Sequence, residues 1–317
     1  MAAALQEQSL VLLGRWLRDS GYRFITGTPA THARVNARED AGQARDLRDV
    51  FGWSRPFDDK LLPQSVLGWL RDGDLLRRKG DLLLSRVRFS TLGRQLYAHS
   101  SYPTAEADAV FFGPDTYRFA ALIESELQRQ PLPACARILD VGCGAGPGGM
   151  VAALASAAAA PELVLADINS HALVHARANA TLAGLGQVTL AHSDLYAQVE
   201  GAFDLIVANP PYLVDPTART YRHGGGALGG GLSERIVAEG LLRLAPGGRL
   251  VLYTGAAMVG GRDPLSDALR PLVASAGCNW RYWELDPDVF GEELEAPAYR
   301  EAERIAAVAL VAQRPGK

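Results

Sequence analysis

Three aspartates, Asp140, Asp167 and Asp194, stand 27 residues apart, each at or just after the end of a short apolar run, and no other feature of the sequence limits the fold so tightly. The runs are Arg137–Val141, Glu162–Ala166 and Val188–Ala191, and a fourth, Phe203–Ala208, follows. Short apolar runs bounded by turn residues read as strands buried on both faces. Between them lie an alanine-rich stretch, Gly149–Ala160, and Ser170–Leu185, where Leu173, Ala176 and Ala180 recur at helical spacing and Gly184 or Gly186 ends the helix. A strand and a helix alternating at a fixed period imply parallel strands, because each helix carries the chain back to the edge where the next strand starts.

The pattern continues past the fourth strand. Ser233 is expected to cap a helix whose buried face carries Ile236, Val237, Gly240, Leu241 and Leu244. Pro246-Gly247-Gly248 then turns the chain into a fifth strand, Arg249–Thr254, and Trp280–Leu285 and Ile305–Ala312 close the sheet. The predicted fold class is α/β: a Rossmann-like, doubly wound, mostly parallel seven-stranded sheet over residues 109–317, with its ligand crevice at the carboxyl ends of the strands. Residues 1–108 read differently, as a smaller helical, winged-helix-like domain for substrate recognition. Leu5, Leu13, Trp16 and Leu17 mark one helix, Leu61–Arg71 another, and Leu75–Phe89 a hairpin turning at Lys79-Gly80-Asp81. The boundary falls in the polar stretch Ser100–Asp108.

The chemistry sits where the strands end. Asp140-Val141-Gly142-Cys143-Gly144-Ala145-Gly146 closes the first strand in a glycine-rich turn, where missing β-carbons permit positive φ and close approach of a nucleotide-like cofactor. Gly144-Ala145-Gly146-Pro147-Gly148-Gly149 also satisfies the dinucleotide spacing, so a nicotinamide-dependent dehydrogenase stays open at this point. Asp167 is placed to take ribose hydroxyls and Asp194 an adenine amino group, with Ile168 against one face of the adenine. Asn209-Pro210-Pro211-Tyr212 ends the fourth strand, a tetrapeptide expected by chance in on the order of one chain in a thousand of this length. The two prolines hold the turn extended and leave carbonyls free. The Asn209 side-chain oxygen and the Pro210 backbone oxygen can then accept both hydrogens of a planar NH2 group while Tyr212 stacks on its frame. Such acceptors raise electron density on a delocalised nitrogen, so positioning carries the catalysis and no strong general base is needed.

Together these motifs resemble the class I S-adenosylmethionine-dependent methyltransferases that modify planar nitrogens. Within that class the chain is similar to the release-factor glutamine methyltransferases and the related rRNA and DNA amino-methyltransferases, over roughly residues 110 to 317. The resemblance implies S-adenosylmethionine as cofactor and a macromolecular substrate, a protein such as a release factor slightly ahead of rRNA or DNA. It implies cofactor contacts from Asp140, Gly142, Gly144, Gly146, Asp167, Ile168, Asp194 and Asn209, and catalysis at Asn209, Pro210 and Tyr212. Phe111-Phe112-Gly113-Pro114-Asp115-Thr116 resembles the segment that encloses cofactor and substrate in the glutamine enzymes, which makes Phe112, Asp115, Thr116, Pro211 and Tyr212 the substrate side; Gly113 stands where that family usually has Arg.

Charge and composition set the remaining bounds. Residues 1 to 120 hold 17 Lys and Arg against 14 Asp and Glu, so the front is mildly basic within a chain of net charge −3. Arg77, Arg78, Lys79, Arg86, Arg88 and Arg94 form either a phosphate-contacting wing or a solvated hairpin, the second being preferred, and a nonenzymatic nucleic-acid-binding protein is the third alternative. Cys135, Cys143 and Cys278 show no paired spacing, which points to reduced thiols and a cytoplasmic protein. No apolar run reaches the length of a membrane span. His171 and His175 stand four apart without a third ligand, so no metal is expected, and Tyr221-Arg222-His223 with the following glycines reads as a lid or a surface loop.

Overall fold

The computed structural model describes residues 2–104, 106–157, 160–215, 219 and 221–316. The chain starts with four helices, α1 (Ala2–Asp19), α2 (Pro29–Asn36), α3 (Leu47–Phe51) and α4 (Gln64–Asp72). Two hairpins follow, β1 (Leu76–Lys79) with β2 (Leu82–Ser85), and β3 (Val87–Leu92) with β4 (Gln95–Ser100). After α5 (Pro114–Arg129) come β5 (Arg137–Val141), α6 (Pro147–Ala155), β6 (Glu162–Asp167), α7 (Ser170–Leu182), β7 (Val188–His192) and β8 (Phe203–Ala208). The chain closes with α8 (Gly231–Leu241), β9 (Leu244–Val259), α9 (Pro264–Ser275), β10 (Asn279–Asp286) and β11 (Ala302–Gln313).

Seven strands form one sheet in the order β10-β11-β9-β8-β5-β6-β7. β5 pairs in parallel with β6 and β8, and β8 with β9; β11 is antiparallel to both β9 and β10. This is the mostly parallel seven-stranded sheet with flanking helices that the period predicts. The strand order turns back between β5 and β8, where the connections leave in opposite directions and their carboxyl ends leave a crevice.

The chain divides into two compact units. The first is Met1–Arg118 with Gly144–Pro147 and Ser170–Val188, and the second is Phe119–Cys143, Gly148–Asn169 and Thr189–Lys317. In the first, Leu10, Leu13 and Leu17 on one face of α1 pack with Phe24, Phe51, Phe57, Val66, Leu70, Phe89 and Leu182 of α7. Gly14 allows this contact, since a β-carbon there would lie 2.4 Å from Leu182 Cδ1. α2 starts at Pro29 behind Thr28, whose hydroxyl accepts the Thr31 N–H, and α3 starts behind Asp46, which accepts the Asp49 N–H. In the second unit, alternate residues of β5, β6, β8, β9 and β11 join Ile236, Val237 and Leu241 of α8 and Leu265, Leu269 and Val273 of α9 in one core.

Several boundaries differ from the sequence reading. α6 starts two residues earlier, at Pro147, and ends at Ala155; Ala158 and Ala159 of the expected helix lie outside the described residues. α7 stops at Leu182 ahead of Gly184, whose φ of +75° the helix cannot continue through. Ser233 does not cap α8: Gly230 holds that position, and the Ser233 hydroxyl lies buried 2.8 Å from Thr254 Oγ1. β9 extends over 16 residues because β11 pairs with its whole upper part, beyond the end of β8. The hairpin turning at Gly80 is present, and the β3–β4 hairpin was not foreseen. Arg88 is not on a basic wing. It is 4% exposed on β3, with its Nε donating to the Ser100 carbonyl at 3.0 Å, while Arg86 pairs with Asp74 and Glu106.

Buried histidines give the first unit a pH signature. Burial holds His32 and His175 down to about 4, with the Arg88 charge adding to the effect at His32 and His171 at His175, and holds His99 well below the usual range. The unfolded chain therefore takes up protons first as pH falls below 6.5, so this contribution to stability is full above 6.5 and is lost as pH falls toward 4. Urea unfolding of His175→Gln between pH 6.5 and 4.5 is expected to show a stability slope shallower than the parent's by up to about 1.4 kcal/mol per pH unit. Identical slopes would show that His175 does not resist protonation in the fold.

Candidate active site

The register of three neighbouring strands assembles the centre of the site. Val141 is opposite Ala166 of β6 on one side and Ala208 of β8 on the other, so the next residues, Gly142, Asp167 and Asn209, emerge side by side at the sheet's end. Two strand spacings separate Asp167 from Asn209, roughly 10 Å. The fourth position joins them through the backbone: the Ser193 N–H donates to the Asp167 carbonyl at 3.0 Å, which brings Asp194 to the same edge.

Asp140 organises the glycine turn from below. It is 1% exposed, and its carboxylate accepts the Gly149 N–H at 2.7 Å, in the first turn of α6. A β-carbon on Gly148 would lie 2.4 Å from Phe119 Cε1 and 3.1 Å from Asp140 Oδ2, and one on Gly149 would lie 2.7 Å from Leu165 Cδ2. α6 therefore sits on β5 and β6 at a distance only glycine permits. Burial raises the Asp140 carboxyl to about 7, with the nearby Asp167 charge adding to it and the Gly149 N–H opposing. Gly142, Gly144 and Gly146 have φ of +66°, +54° and +82°, the left-handed region that favours glycine. At Gly142 and Gly144 an added β-carbon would meet nothing within 4 Å, so the turn borders open space rather than packed protein. The Cys143 N–H ties the turn to β6 through the Ala166 carbonyl at 3.0 Å, and burial pushes the Cys143 thiol up.

At the end of β6, Asp167 is 9% exposed and its Oδ1 accepts the Asn169 N–H at 2.8 Å. Ile168 beside it is 52% exposed, an apolar side chain left facing outward. Asp194 is exposed and lies 3.5 Å from Arg235 of α8, which also reaches Glu239. This crevice has the features an adenosine needs: an acidic group at a strand end, an exposed aliphatic surface beside it, and a glycine turn whose missing β-carbons leave room.

Asn209 is half-buried, Pro210 buried and Pro211 half-buried. Tyr212 is 6% exposed, its ring pressed over Gly255 of β9 and set edge-on to Phe290 at 5.8 Å. The glycines after His223 do not hang free as a lid. A β-carbon on Gly224 would lie 2.0 Å from the Gly229 carbonyl and 2.7 Å from the Pro211 carbonyl, and one on Gly229 would lie 2.1 Å from the Tyr212 carbonyl. Backbone packs on backbone, and the Gly224 N–H donates to Leu213 at 2.8 Å. The β10–β11 connection supports the other side. Tyr299 Oη accepts the Val214 N–H at 2.9 Å, and Glu293 pairs with Arg222.

In the first unit, Phe112 is 1% exposed, stacked on His99 with ring centres 5.0 Å apart. Asp115 and Thr116 are each 4% exposed at the start of α5; Asp115 accepts from Arg118 at 3.3 Å and the Thr116 hydroxyl accepts the Gly113 N–H at 3.3 Å. The sequence reading missed Asn179 of α7. Its side chain is 1% exposed, with Oδ1 accepting the Ala98 N–H at 2.7 Å and Nδ2 donating to the Ala98 and Ala145 carbonyls at 3.0 Å each. A polar residue on an otherwise alanine-rich helix face was the available signal. Phe290, Glu293 and Tyr299 were also missed, because no local pattern ties a connection near the end of the chain to the turn after β8. Among the described residues no group of three or more His, Cys, Asp or Glu is placed to hold a metal ion, and no helix is long and apolar enough to cross a membrane.

The strand order, the glycine turn and the Asn-Pro-Pro-Tyr end of β8 define an S-adenosylmethionine-dependent methyltransferase. Comparison with known proteins agrees. The methyltransferase small domain family matches residues 119–270. A release factor glutamine methyltransferase of Deinococcus radiodurans is 33% identical over 264 residues, 74% of this chain and 88% of that enzyme. A ribosomal RNA small subunit methyltransferase C of Chromohalobacter salexigens is 35% identical over 124 residues, 39% of this chain but only 33% of that enzyme. Among solved structures, the T. thermophilus 16S rRNA N2 G1207 methyltransferase in complex with AdoMet and guanosine is similar over 92% of this chain and 73% of that one, with 16% identity and a TM-score of 0.47. The chain belongs to the S-adenosylmethionine-dependent methyltransferase family that includes the release factor glutamine methyltransferases, which closes the dehydrogenase alternative.

Gly148→Ala must displace Phe119 or Asp140. Calorimetry is expected to show S-adenosylhomocysteine bound about tenfold more weakly, with stability reduced by about 1–3 kcal/mol; parent-like affinity would mean the turn does not depend on this seat. Tyr299→Phe leaves the Val214 N–H without its acceptor. A kcat lower by about fivefold, with cofactor affinity unchanged, is expected from the loss of one buried hydrogen bond, and an unaltered kcat would separate Tyr299 from the turn.

Proposed function

We propose that the enzyme methylates a planar amide nitrogen in a protein, the side chain of a glutamine, in the manner of the release-factor enzymes. What supports this reading is the position of Asn209 and Pro210 directly after β8, leading into a turn whose Pro211, Tyr212 and Val214 are held by glycine backbone on one side and by Phe290 and Tyr299 on the other. Two acceptors fixed in this way take both hydrogens of an amide NH2 and set its lone pair, at little reorganisation cost when transfer occurs. When bound, S-adenosylmethionine supplies an electrophilic methyl group. Asp167 and Asp194 would hold its ribose and adenine amino groups, Ile168 would support the ring, and Gly142, Gly144 and Gly146 would make room under the turn that Asp140 anchors. Asn209 and Pro210 orient the acceptor nitrogen, with Pro211 and Tyr212 bounding its plane; as the nitrogen–methyl bond forms and the sulfonium–methyl bond breaks, one N–H proton is lost to solvent.

We assign residues 1–108 to substrate recognition, with residues 109–317 as the methyltransferase domain; Phe112, Asp115 and Thr116 are 1–4% exposed, so they bear on the substrate side through the segment they pack rather than by direct contact. Protein is preferred to RNA as the target because the similarity to the glutamine enzyme spans 88% of that enzyme, whereas the ribosomal RNA enzyme is matched over a third of its length. A role in modifying the translation apparatus supports a cytoplasmic location.

Incubation with tritiated cofactor and cell extract, followed by protease or ribonuclease, distinguishes the targets. Label released by protease and recovered as N5-methylglutamine is expected; label released by ribonuclease alone would overturn the glutamine reading. Asn209→Ala is expected to lower kcat by about 100-fold or more while S-adenosylhomocysteine affinity changes little.

A further inference from the structure

Behind the glycine-rich loop lies a cavity of about 190 Å³ that the proposed chemistry does not use. Its walls are Gly226, Ala227, Leu228, Gly230 and Gly231 of the loop, Gly255–Ala257 of β9, and Pro264 and Leu265 at the start of α9. The one charged residue in this lining is Glu234, half-buried in the first turn of α8. The Glu234 Oε1 lies over Gly230, 3.8 Å from where a β-carbon would stand. Among the described residues no Lys, Arg or His pairs with it, although the neighbouring Arg235 pairs with both Asp194 and Glu239.

The cavity shares its walls with the reactive turn. Gly255, which lines it, is also the residue under the Tyr212 ring, and the loop that closes it packs through Gly224 and Gly229 on the backbone of Pro211 and Tyr212. An occupant therefore sits one wall away from the Pro211–Tyr212 turn. At 190 Å³ the space suits a single side chain and is below the range of roughly 300 to 1,000 Å³ usual for small-molecule sites. A small-residue lining with one unpaired carboxylate matches an aliphatic stem that ends in a cation.

We propose that this cavity is a specificity subsite for a lysine or arginine side chain flanking the target glutamine in the protein substrate. The inference rests on the protein-substrate reading above. Its stem fills the Gly226–Gly231 and Ala256–Ala257 walls, and its charge meets Glu234. The size of Gly230 keeps the subsite open: its φ of −82° is one that alanine adopts without strain, and an added methyl would come within 3.1 Å of Leu265 Cδ1 and narrow the cavity.

The test uses glutamine peptides with one lysine walked through the flanking positions and a matched set carrying norleucine, which keeps the stem and removes the charge. At one position lysine is expected to raise kcat/KM about tenfold over norleucine, the size of a partly desolvated ion pair. That ratio should fall to about one in Glu234→Gln and below one in Glu234→Lys, and Gly230→Ala should reduce it as well. The subsite is overturned if no position prefers lysine or if the preference survives Glu234→Gln. A second readout does not depend on the methylated target: titration with n-butylammonium should shift the amide resonances of Gly230, Gly231 and Ala256 at least about fivefold less in Glu234→Gln than in the parent. Equal shifts overturn the subsite whatever the peptides do. Failure of the parent enzyme to methylate any peptide, with the n-butylammonium shifts as expected, overturns the glutamine reading and leaves a cation-binding cavity.

Discussion

The seat of α6 over Asp140 is the constraint on which the proposed cofactor side depends. A carboxyl group sealed beneath a helix start has one N–H to accept, from Gly149, and two glycines that let the helix come down on it. With that helix fixed, the turn from Gly142 to Gly146 must climb through left-handed backbone to reach it, which leaves an open hollow at the end of β5. Within the first unit, Asn179 takes the Ala145 carbonyl. In each unit the backbone around the glycine turn is fixed by a few buried polar contacts whose alternatives would leave donors or acceptors unsatisfied.

The acceptor side is built on a different principle. The turn after β8 has little regular structure of its own, and prolines remove two of its N–H groups. Its shape is imposed by neighbours: glycine backbone lies on Pro211 and Tyr212, Phe290 faces the Tyr212 ring, and Tyr299 accepts the Val214 N–H. Pre-organisation of this kind suits a reaction in which charge is dispersed and no proton-transfer group needs tuning.

The sequence disclosed the parts that depend on local periodicity. Asp140, Asp167 and Asp194 marked three strand ends because the βα unit repeats with nearly constant length, and Asn209-Pro210-Pro211-Tyr212 was visible because its backbone restrictions are intrinsic to proline. What escaped were contacts between residues far apart in the chain. Asn179 appears as one polar residue on a helix, and its purpose shows only when β4 and Ala145 are beside it. The basic residues near the first hairpin read as one exposed set, a wing or the preferred solvated hairpin, because alternation alone cannot say that Arg88 points inward on β3. Ser233 read as a cap because helix starts favour hydroxyls, yet the helix begins at Gly231 and the hydroxyl is used by Thr254.

The long β9 strand carries a consequence of its own. Its lower part is held on both edges, while Tyr253 to Val259 continue beyond the end of β8 with β11 as their only partner among the described strands. That upper part is a cantilever, and Gly255 near its root bears the Tyr212 ring. It is faced across the ladder by Ala306, Ala307, Val308 and Ala309, all fully buried. Bulk introduced at Ala307, the partner of Gly255, would stand on the face that the Tyr212 ring occupies and press on the turn after β8, so the tolerances of that proposed catalytic end are written partly in a strand that contributes no group to it.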